Sequence, residues 1–352
     1  MTILVIRFRQ MGDAILATPL LATLREQYPD AQIDFVLNKR LAPLFEGHPA
    51  ISRIITFTDE ERHSPCRYVR KVWRIVRETR YDAIIDMRST ANTMLFPLLS
   101  LRSQWRIGIS KPYTLGIYNR RIPACAADES MVDHNLRLAE PILSEGAPRR
   151  RELSLPITPS ETNAFRQYMQ QQGVDFSRPV LLVGVTAKLP DKTWPAERMT
   201  AILARLIEAR PCLQLVFNYA PGKEAAQARH IFERLGSPAN VFLNVEASTP
   251  RQLAAMAACC TAYFGNEGGA RHVAHAMRRP SLVVCSPGAS KATWLPTDSK
   301  ILTMGLAATD IRSDAAALTP QQQYSLITVE RLWPLLQHFC DEVVKPRKPL
   351  TV

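Results

Sequence analysis

The stretch Gln10-Met11-Gly12-Asp13 lies directly behind the apolar run ILVIRF (3–8) and ahead of AILATPLLATL. A carboxylate at the mouth of a strand can take a proton from an incoming hydroxyl group, and the glycine before it lets the chain turn close to a ligand. The plainer role for Asp13 is to cap the following helix. Thr18-Pro19 is itself a good helix start, so two arrangements stay open: a helix from Asp13 that bends at Pro19, or a helix from Thr18 with Asp13 in a true loop.

Two later stretches have residues suited to phosphate. In Thr186-Ala-Lys188-Leu-Pro-Asp-Lys192-Thr-Trp194-Pro195, the proline suits a first helical turn, so Lys188 and Lys192 lie just ahead of a helix N-terminus. The helix dipole disfavours cations there unless an anion sits between them, and a phosphate resolves the conflict. Solvated lysines with Trp194 as a packing residue are the alternative. In Gly265-Asn-Glu267-Gly268-Gly269-Ala-Arg271-His272, the paired glycines leave backbone N–H groups bare at a helix start, where a diphosphate can sit with Arg271 or His272 beside it. An ordinary glycine turn capped by Glu267 is the competing reading. His272 and His275 stand three apart with no acidic or cysteine partner, so no metal site is expected.

The stretch CRYVRKVWRIVRETR (66–80) repeats Arg67, Arg70, Lys71, Arg74 and Arg77 at helical spacing, with Val69, Val72, Trp73 and Val76 as the expected opposite stripe. Such a basic face is usually solvated, and its competing use is docking onto an anionic lipid or phosphorylated glycan surface. Aromatic residues are only 7% of the chain, too sparse for base stacking, so no nucleic-acid partner is expected.

These residues need elements to position them. Short apolar runs (ILVIRF, IDFVLN, ISRIITF, DAIIDM, WRIGIS) alternate with helical patterns, then restart at VLLVGVTA (180–187) and continue through CLQLVFNYA, NVFLNV, TAYFGN and SLVVCS. This is the rhythm of parallel sheets covered on both faces, and it predicts an α/β chain of two Rossmann-like, doubly wound halves facing a central cleft. The halves are placed at 1–165 and 166–327, with GAPRRRELSLPITPS (146–160) as an extended connector. The helical pattern TVERLWPLLQHFCDEVV (328–344), kinked at Pro334, and the tail to 352 are expected to pack back across the first half. In such sheets ligands bind beyond the carboxyl ends of the strands, where all three candidate loops fall.

Composition sets the remaining bounds. A chain of 352 residues that is 46% hydrophobic and 22% charged buries ordinary globular cores, which excludes a disordered or fibrous protein. Arg7 and Arg9 interrupt the first apolar run too early for a signal-peptide core, and no run reaches membrane-spanning length, so a cytoplasmic protein is expected. Seven cysteines without a CxxC pair argue against a disulfide framework or zinc cluster, and the net charge of +12 favours an anionic partner.

Taken together, the strand followed by MGD and an apolar helix, the mid-chain Lys192-x-Trp194-Pro195 preceded by Thr186 and Lys188, and the late acidic-Gly-Gly-x-x-His before an apolar helix resemble one family, the ADP-heptose:lipopolysaccharide heptosyltransferases of glycosyltransferase family 9. The resemblance covers nearly the whole chain. It implies a GT-B fold whose first domain binds the acceptor and whose second binds the nucleotide sugar, ADP-heptose or a related donor. It also implies inverting transfer without a metal or cofactor, Asp13 as general base, Lys192 on the phosphates with Thr186 and Lys188 nearby, and Gly268, Gly269 and His272 in the donor loop. Many members read Asp-Ser/Thr-Gly-x-x-His where this chain has Glu267-Gly268-Gly269-Ala270-Arg271-His272. A longer acid, a missing hydroxyl and an added arginine change how the donor's sugar is held. The implied acceptor is a lipopolysaccharide core or similar anionic glycolipid at the cytoplasmic face of the inner membrane, with peripheral membrane contact through the Arg67 to Arg77 face. A nucleotide-sugar epimerase on the same architecture and a non-catalytic sugar-nucleotide or phosphoglycan binder remain the alternatives.

Overall fold

The computed structural model describes residues 1–295 and 300–344, and the chain divides into two compact units that meet in sequence at Pro156 and Ile157. The first unit holds β1 (Thr2–Ile6), β2 (Gln32–Asn38), β3 (Arg53–Phe57), β4 (Ala83–Asp86), β5 (Trp105–Ile109) and β6 (Arg120–Ile122). The second holds β7 (Val180–Gly184), β8 (Gln214–Asn218), β9 (Val241–Phe242), β10 (Ala262–Asn266), β11 (Ser281–Val284) and β12 (Thr303–Leu306). The orders are β3-β2-β1-β4-β5-β6 and, read from the other edge, β9-β8-β7-β10-β11-β12, so the second sheet repeats the topology of the first. Every pairing is parallel, with Ile3 of β1 beside Ile33 of β2 and Ala83 of β4. Central strands such as ILVI and VLLV are buried on both faces because helices cover both sides, which is why they read as continuous apolar runs.

In each sheet the order reverses between two central strands, β1 and β4 in the first, β7 and β10 in the second. The chain leaves these strands in opposite directions and opens a crevice at their carboxyl ends. Both candidate phosphate loops and the Asp13 loop emerge there.

The helices that matter for the first crevice are α1 (Met11–Ile15), α2 (Thr18–Gln27), α3 (Pro65–Glu78) and α4 (Leu95–Leu98). A bend at Leu16 and Ala17 separates α1 from α2, so the two arrangements left open at Asp13 resolve into a third: a one-turn helix, a break, then a second helix with Pro19 in its first turn. The break is tied by Thr18, whose hydroxyl donates to the Ile15 carbonyl and accepts from the Ser154 N–H. On α3 the expected apolar stripe is shifted. Tyr68, Val72 and Ile75 face the core, whereas Val69 and Trp73 lie outward among the arginines at 43% and 52% exposure. Lys71 leaves the basic face, bonding Glu61 at 2.7 Å with its ammonium 4.6 Å from the Phe57 ring centroid.

In the second unit lie α5 (Pro159–Gln171), α6 (Ala196–Ala209), α7 (Lys223–Arg234), α8 (Pro250–Cys259), α9 (Gly269–Ala276) and α10 (Val329–Val343). The boundary falls earlier than the expected 165 because α5 already belongs here. Thr158 and Glu161 form a reciprocal cap at its start, and Glu161 also pairs with Arg251 of α8. The last helix packs into the core of the second unit. Leu332, Trp333, Leu336, Phe339 and Cys340 of α10 join the same core as Leu203 and Leu206 of α6, and Arg205 lies 4.4 Å from the Trp333 ring centroid. Pro334 sits inside α10, and residues 345–352 lie outside the described residues. All seven cysteines are free thiols, with Cys66 and Cys212 exposed and Cys260, Cys285 and Cys340 buried. No helix among the described residues is long and apolar enough to cross a membrane.

Candidate active site

At the first crevice, β1 runs on through Arg7, Phe8 and Arg9 before α1 begins. Asp13 is 9% exposed and stands in the first turn of α1, three residues past its N-cap Gln10. Arg7, buried behind it, donates from Nη2 to Asp13 Oδ1 at 3.0 Å, from Nε to the Asp13 carbonyl at 3.3 Å and from Nη1 to the Met87 carbonyl at 2.7 Å. One guanidinium thus joins the ends of β1 and β4 to the carboxylate. Burial pulls the Arg7 value down to about 10 although Asp13 favours its charge, which still leaves a cation at neutral pH. On the other oxygen, Oδ2, Asp13 meets the half-exposed Arg9 Nε at 3.5 Å.

More positive charge gathers around this pair. Arg88, at the end of β4, donates to the Phe8 carbonyl at 2.6 Å, and its value is lowered by burial and by the neighbouring Arg9 and Arg62 cations. Arg62 lies 5.5 Å from the Phe8 ring centroid. Arg7 and Arg9 contact the Asp13 carboxylate, Arg88 is close enough to feel its charge, and Arg62 stands beside Arg88, a run of cations that suits an anionic ligand whose hydroxyl approaches Asp13. The sequence reading missed this collar, although a basic residue inside a run otherwise fit for a buried strand was its available signal. The Arg67, Arg70, Arg74 and Arg77 side chains sit instead on the exposed outer face of α3.

At the second crevice the loop after β7 holds Thr186, Lys188 and Lys192. Both lysines are exposed, whereas the Thr186 hydroxyl donates to Glu224 Oε2 of α7 at 2.8 Å. The loop is pinned from below by Trp194, which is fully buried, with its indole N–H on the Ile327 carbonyl at 3.0 Å and its backbone N–H on Asn266 Oδ1 at 2.7 Å. Asn266 in turn donates to the Gly184 carbonyl at 3.0 Å, so one buried amide locks the ends of β7 and β10 to the lysine loop. Neither Asn266 nor Glu224 was singled out from sequence. Gly265 is required beside them: its φ is +141°, and a Cβ would stand 2.4 Å from the Gly184 carbonyl oxygen.

The loop after β10 brings Glu267, Gly268 and Gly269 to the same edge. Glu267 Oε2 accepts from the Ser286 N–H and hydroxyl at 3.0 and 3.1 Å, tying this loop to the one after β11. Gly268 precedes α9 with no side-chain cap, and a Cβ there would meet nothing within 4 Å. The first N–H groups of α9 thus have no side-chain cap, as an anion site needs. Arg271 differs from expectation. It is fully buried beneath the loop, donating to the Trp294 carbonyl and at 3.2 Å to His272 Nε2. Burial, with Arg271 alongside, holds His272 well below its ordinary value, so it is neutral.

Among the described residues, Cys125, Glu129 and His134 could each offer an atom to a metal within 4.8 Å of the others. Arg137 already fills that space, pairing with Glu129 at 2.7 Å and donating to His134 Nδ1 at 3.2 Å, so a fixed cation stands where an ion would go.

Residues 69–309 match the model of glycosyltransferase family 9 (heptosyltransferase). The chain belongs to that family. A lipopolysaccharide heptosyltransferase 3 of Escherichia coli is 22% identical to this family 9 enzyme over 83% of the chain and 85% of its own length. A solved glycosyltransferase family 9 structure from Veillonella parvula superposes with a TM-score of 0.81 at 18% identity, covering 97% of each chain. The E. coli heptosyltransferase WaaC, solved with ADP, gives 0.71 at 16% identity, covering 96% of this chain and all of its own. The fold is GT-B, and the chain is a glycosyltransferase, which sets the epimerase and the non-catalytic binder aside.

Proposed function

We propose that this family 9 enzyme is an inverting, metal-independent transferase that moves a heptose or related sugar from ADP-heptose to a lipopolysaccharide core or similar anionic glycolipid, at the cytoplasmic face of the inner membrane. The carrying observation is Asp13, a nearly buried carboxylate fixed by Arg7 on one oxygen at the mouth of β1, within a collar of arginines. Asp13 takes the proton of an acceptor hydroxyl as that oxygen attacks the anomeric carbon. The new C–O bond forms on one face while the bond to the diphosphate breaks on the other, and its electron pair leaves with the diphosphate. The open N–H groups of α9 and the ammonium of Lys192 offset the charge that develops there. Arg9, Arg62 and Arg88 hold the acceptor's anionic groups.

The test is Asp13→Asn assayed with donor and acceptor. Transfer is expected to fall about 10²- to 10⁴-fold, the usual weight of a positioned general base, while ADP binding stays unchanged. Full transfer by a folded Asp13→Asn enzyme would overturn the assignment.

A further inference from the structure

Arg271 stands at the third position of α9 and His272 at the fourth, so both belong to the helix's first turns. Side chains on a helix lean toward its start, which turns the His272 ring toward the uncapped N–H groups behind Gly268. Arg271 is fully buried, yet its bonds go to the Trp294 carbonyl and to His272 Nε2, not to a carboxylate. Its Nε and Nη1 have no partner, and Glu267, close enough to feel the charge, accepts from Ser286 instead. A tie from α9 to the Trp294 carbonyl needs only a neutral amide, and burying a charge in its place is costly for stability. His272 Nδ1 is buried without a partner as well, and it carries the ring proton because Nε2 accepts from the guanidinium. The run of bonds from Trp294 through Arg271 and His272 thus ends in an N–H donor that has no acceptor within the chain.

We propose that Arg271 is a positioning residue for the transfer step: its guanidinium fixes and polarises the His272 ring so that Nδ1–H donates to the diphosphate as it departs. The proton stays on Nδ1, and the electron pair of the broken C–O bond stays on the diphosphate oxygen, whose growing charge strengthens the hydrogen bond. Hydrogen bonds in a chain polarise one another, and the effect is largest where the dielectric is low, so a cation held behind the ring acts on the leaving group without touching it. Burial pulls the Arg271 value down to about 10, which leaves it a cation at neutral pH. The family pattern Asp-Ser/Thr-Gly-x-x-His leaves this position open, so the relay belongs to this chain. The inference rests on the proposed function, which puts the diphosphate at the start of α9.

The test joins spectra to kinetics. In nitrogen-15 spectra of the unaltered enzyme, the His272 Nδ1–H signal, identified by its loss in His272→Gln, is expected to shift when ADP is added. In transfer assays Arg271→Met should lower kcat on the order of 10-fold while the donor KM stays within about twofold, because the relay acts on charge that develops only as the bond breaks. Arg271→Lys keeps a cation and should regain part of kcat. An arginine that only ties α9 to Trp294 would lower the urea midpoint in Arg271→Met and leave kcat alone. A His272 signal that ignores ADP would overturn the proposal, as would full kcat in a folded Arg271→Met enzyme. Should Arg271→Met fail to fold, the ADP-dependent shift in the unaltered enzyme and the kcat of Arg271→Lys decide. Failure of the proposed function itself would show differently, as an unaltered enzyme that makes no product from ADP-heptose.

Discussion

Asp13 and Arg7 are worth little to stability as a pair and a great deal once split, because each would be left charged and buried. Arg7→Met strands the carboxylate and the Met87 carbonyl together, and is expected to cost about 3 kcal/mol, read from the urea midpoint. Arg7→Lys, which keeps a cation beside the carboxylate, is expected to recover part of that loss. His272 yields a separate prediction. A guanidinium only donates, so His272 Nε2 must accept from Arg271 and the ring proton sits on Nδ1. Nitrogen-15 spectra are expected to show that neutral tautomer throughout about pH 5 to 8. Arg271→Ala should free the ring to exchange tautomers.

At the scale of elements, the Asn266 amide decides whether the lysine loop is a site or a strand of surface residues. Asn266→Ala leaves the Trp194 N–H and the Gly184 carbonyl without their buried partner, a loss of about 2 kcal/mol in stability. ADP binding should weaken with it, because Lys192 hangs from the same loop. Unchanged ADP affinity in a measurably destabilised Asn266→Ala protein would detach Lys192 from the donor. Much of this was legible in sequence: the strand runs, and the place of the Asp13, Lys192 and Gly268 loops at strand ends, follow from local patterns. The outward turn of Trp73 was not, since a helical repeat places residues on faces without saying which face meets the sheet. Nor was the last helix's home, because an apolar stripe such as Leu332, Leu336 and Phe339 fits either sheet until packing chooses.

For the molecule as a whole, the proposed reaction divides its work between two sheets of one topology, with the proposed base and its arginines in the first unit and the glycine loop and lysine loop in the second. Acid should unsettle the first unit through a residue remote from chemistry. His48 is buried, accepts at Nδ1 from the Ala50 N–H at 3.2 Å and bonds Ser154 Oγ at 3.1 Å through Nε2. Burial lowers its value to about 4, below the ordinary histidine range, so folding favours the neutral ring. Its stability contribution is full above about pH 6.5 and is lost as pH falls toward 4, about 2 kcal/mol between pH 7 and 5. His48→Gln should flatten that part of the stability curve relative to the unaltered chain. The transferase account itself is tested most directly by calorimetry of ADP, UDP, GDP and NAD with the purified enzyme, with and without magnesium, repeated on Lys192→Ala. The account predicts a preference for ADP that magnesium does not change and that weakens on the order of 10-fold in Lys192→Ala. A preference for UDP or GDP, or ADP binding that depends on magnesium and ignores Lys192, would contradict it.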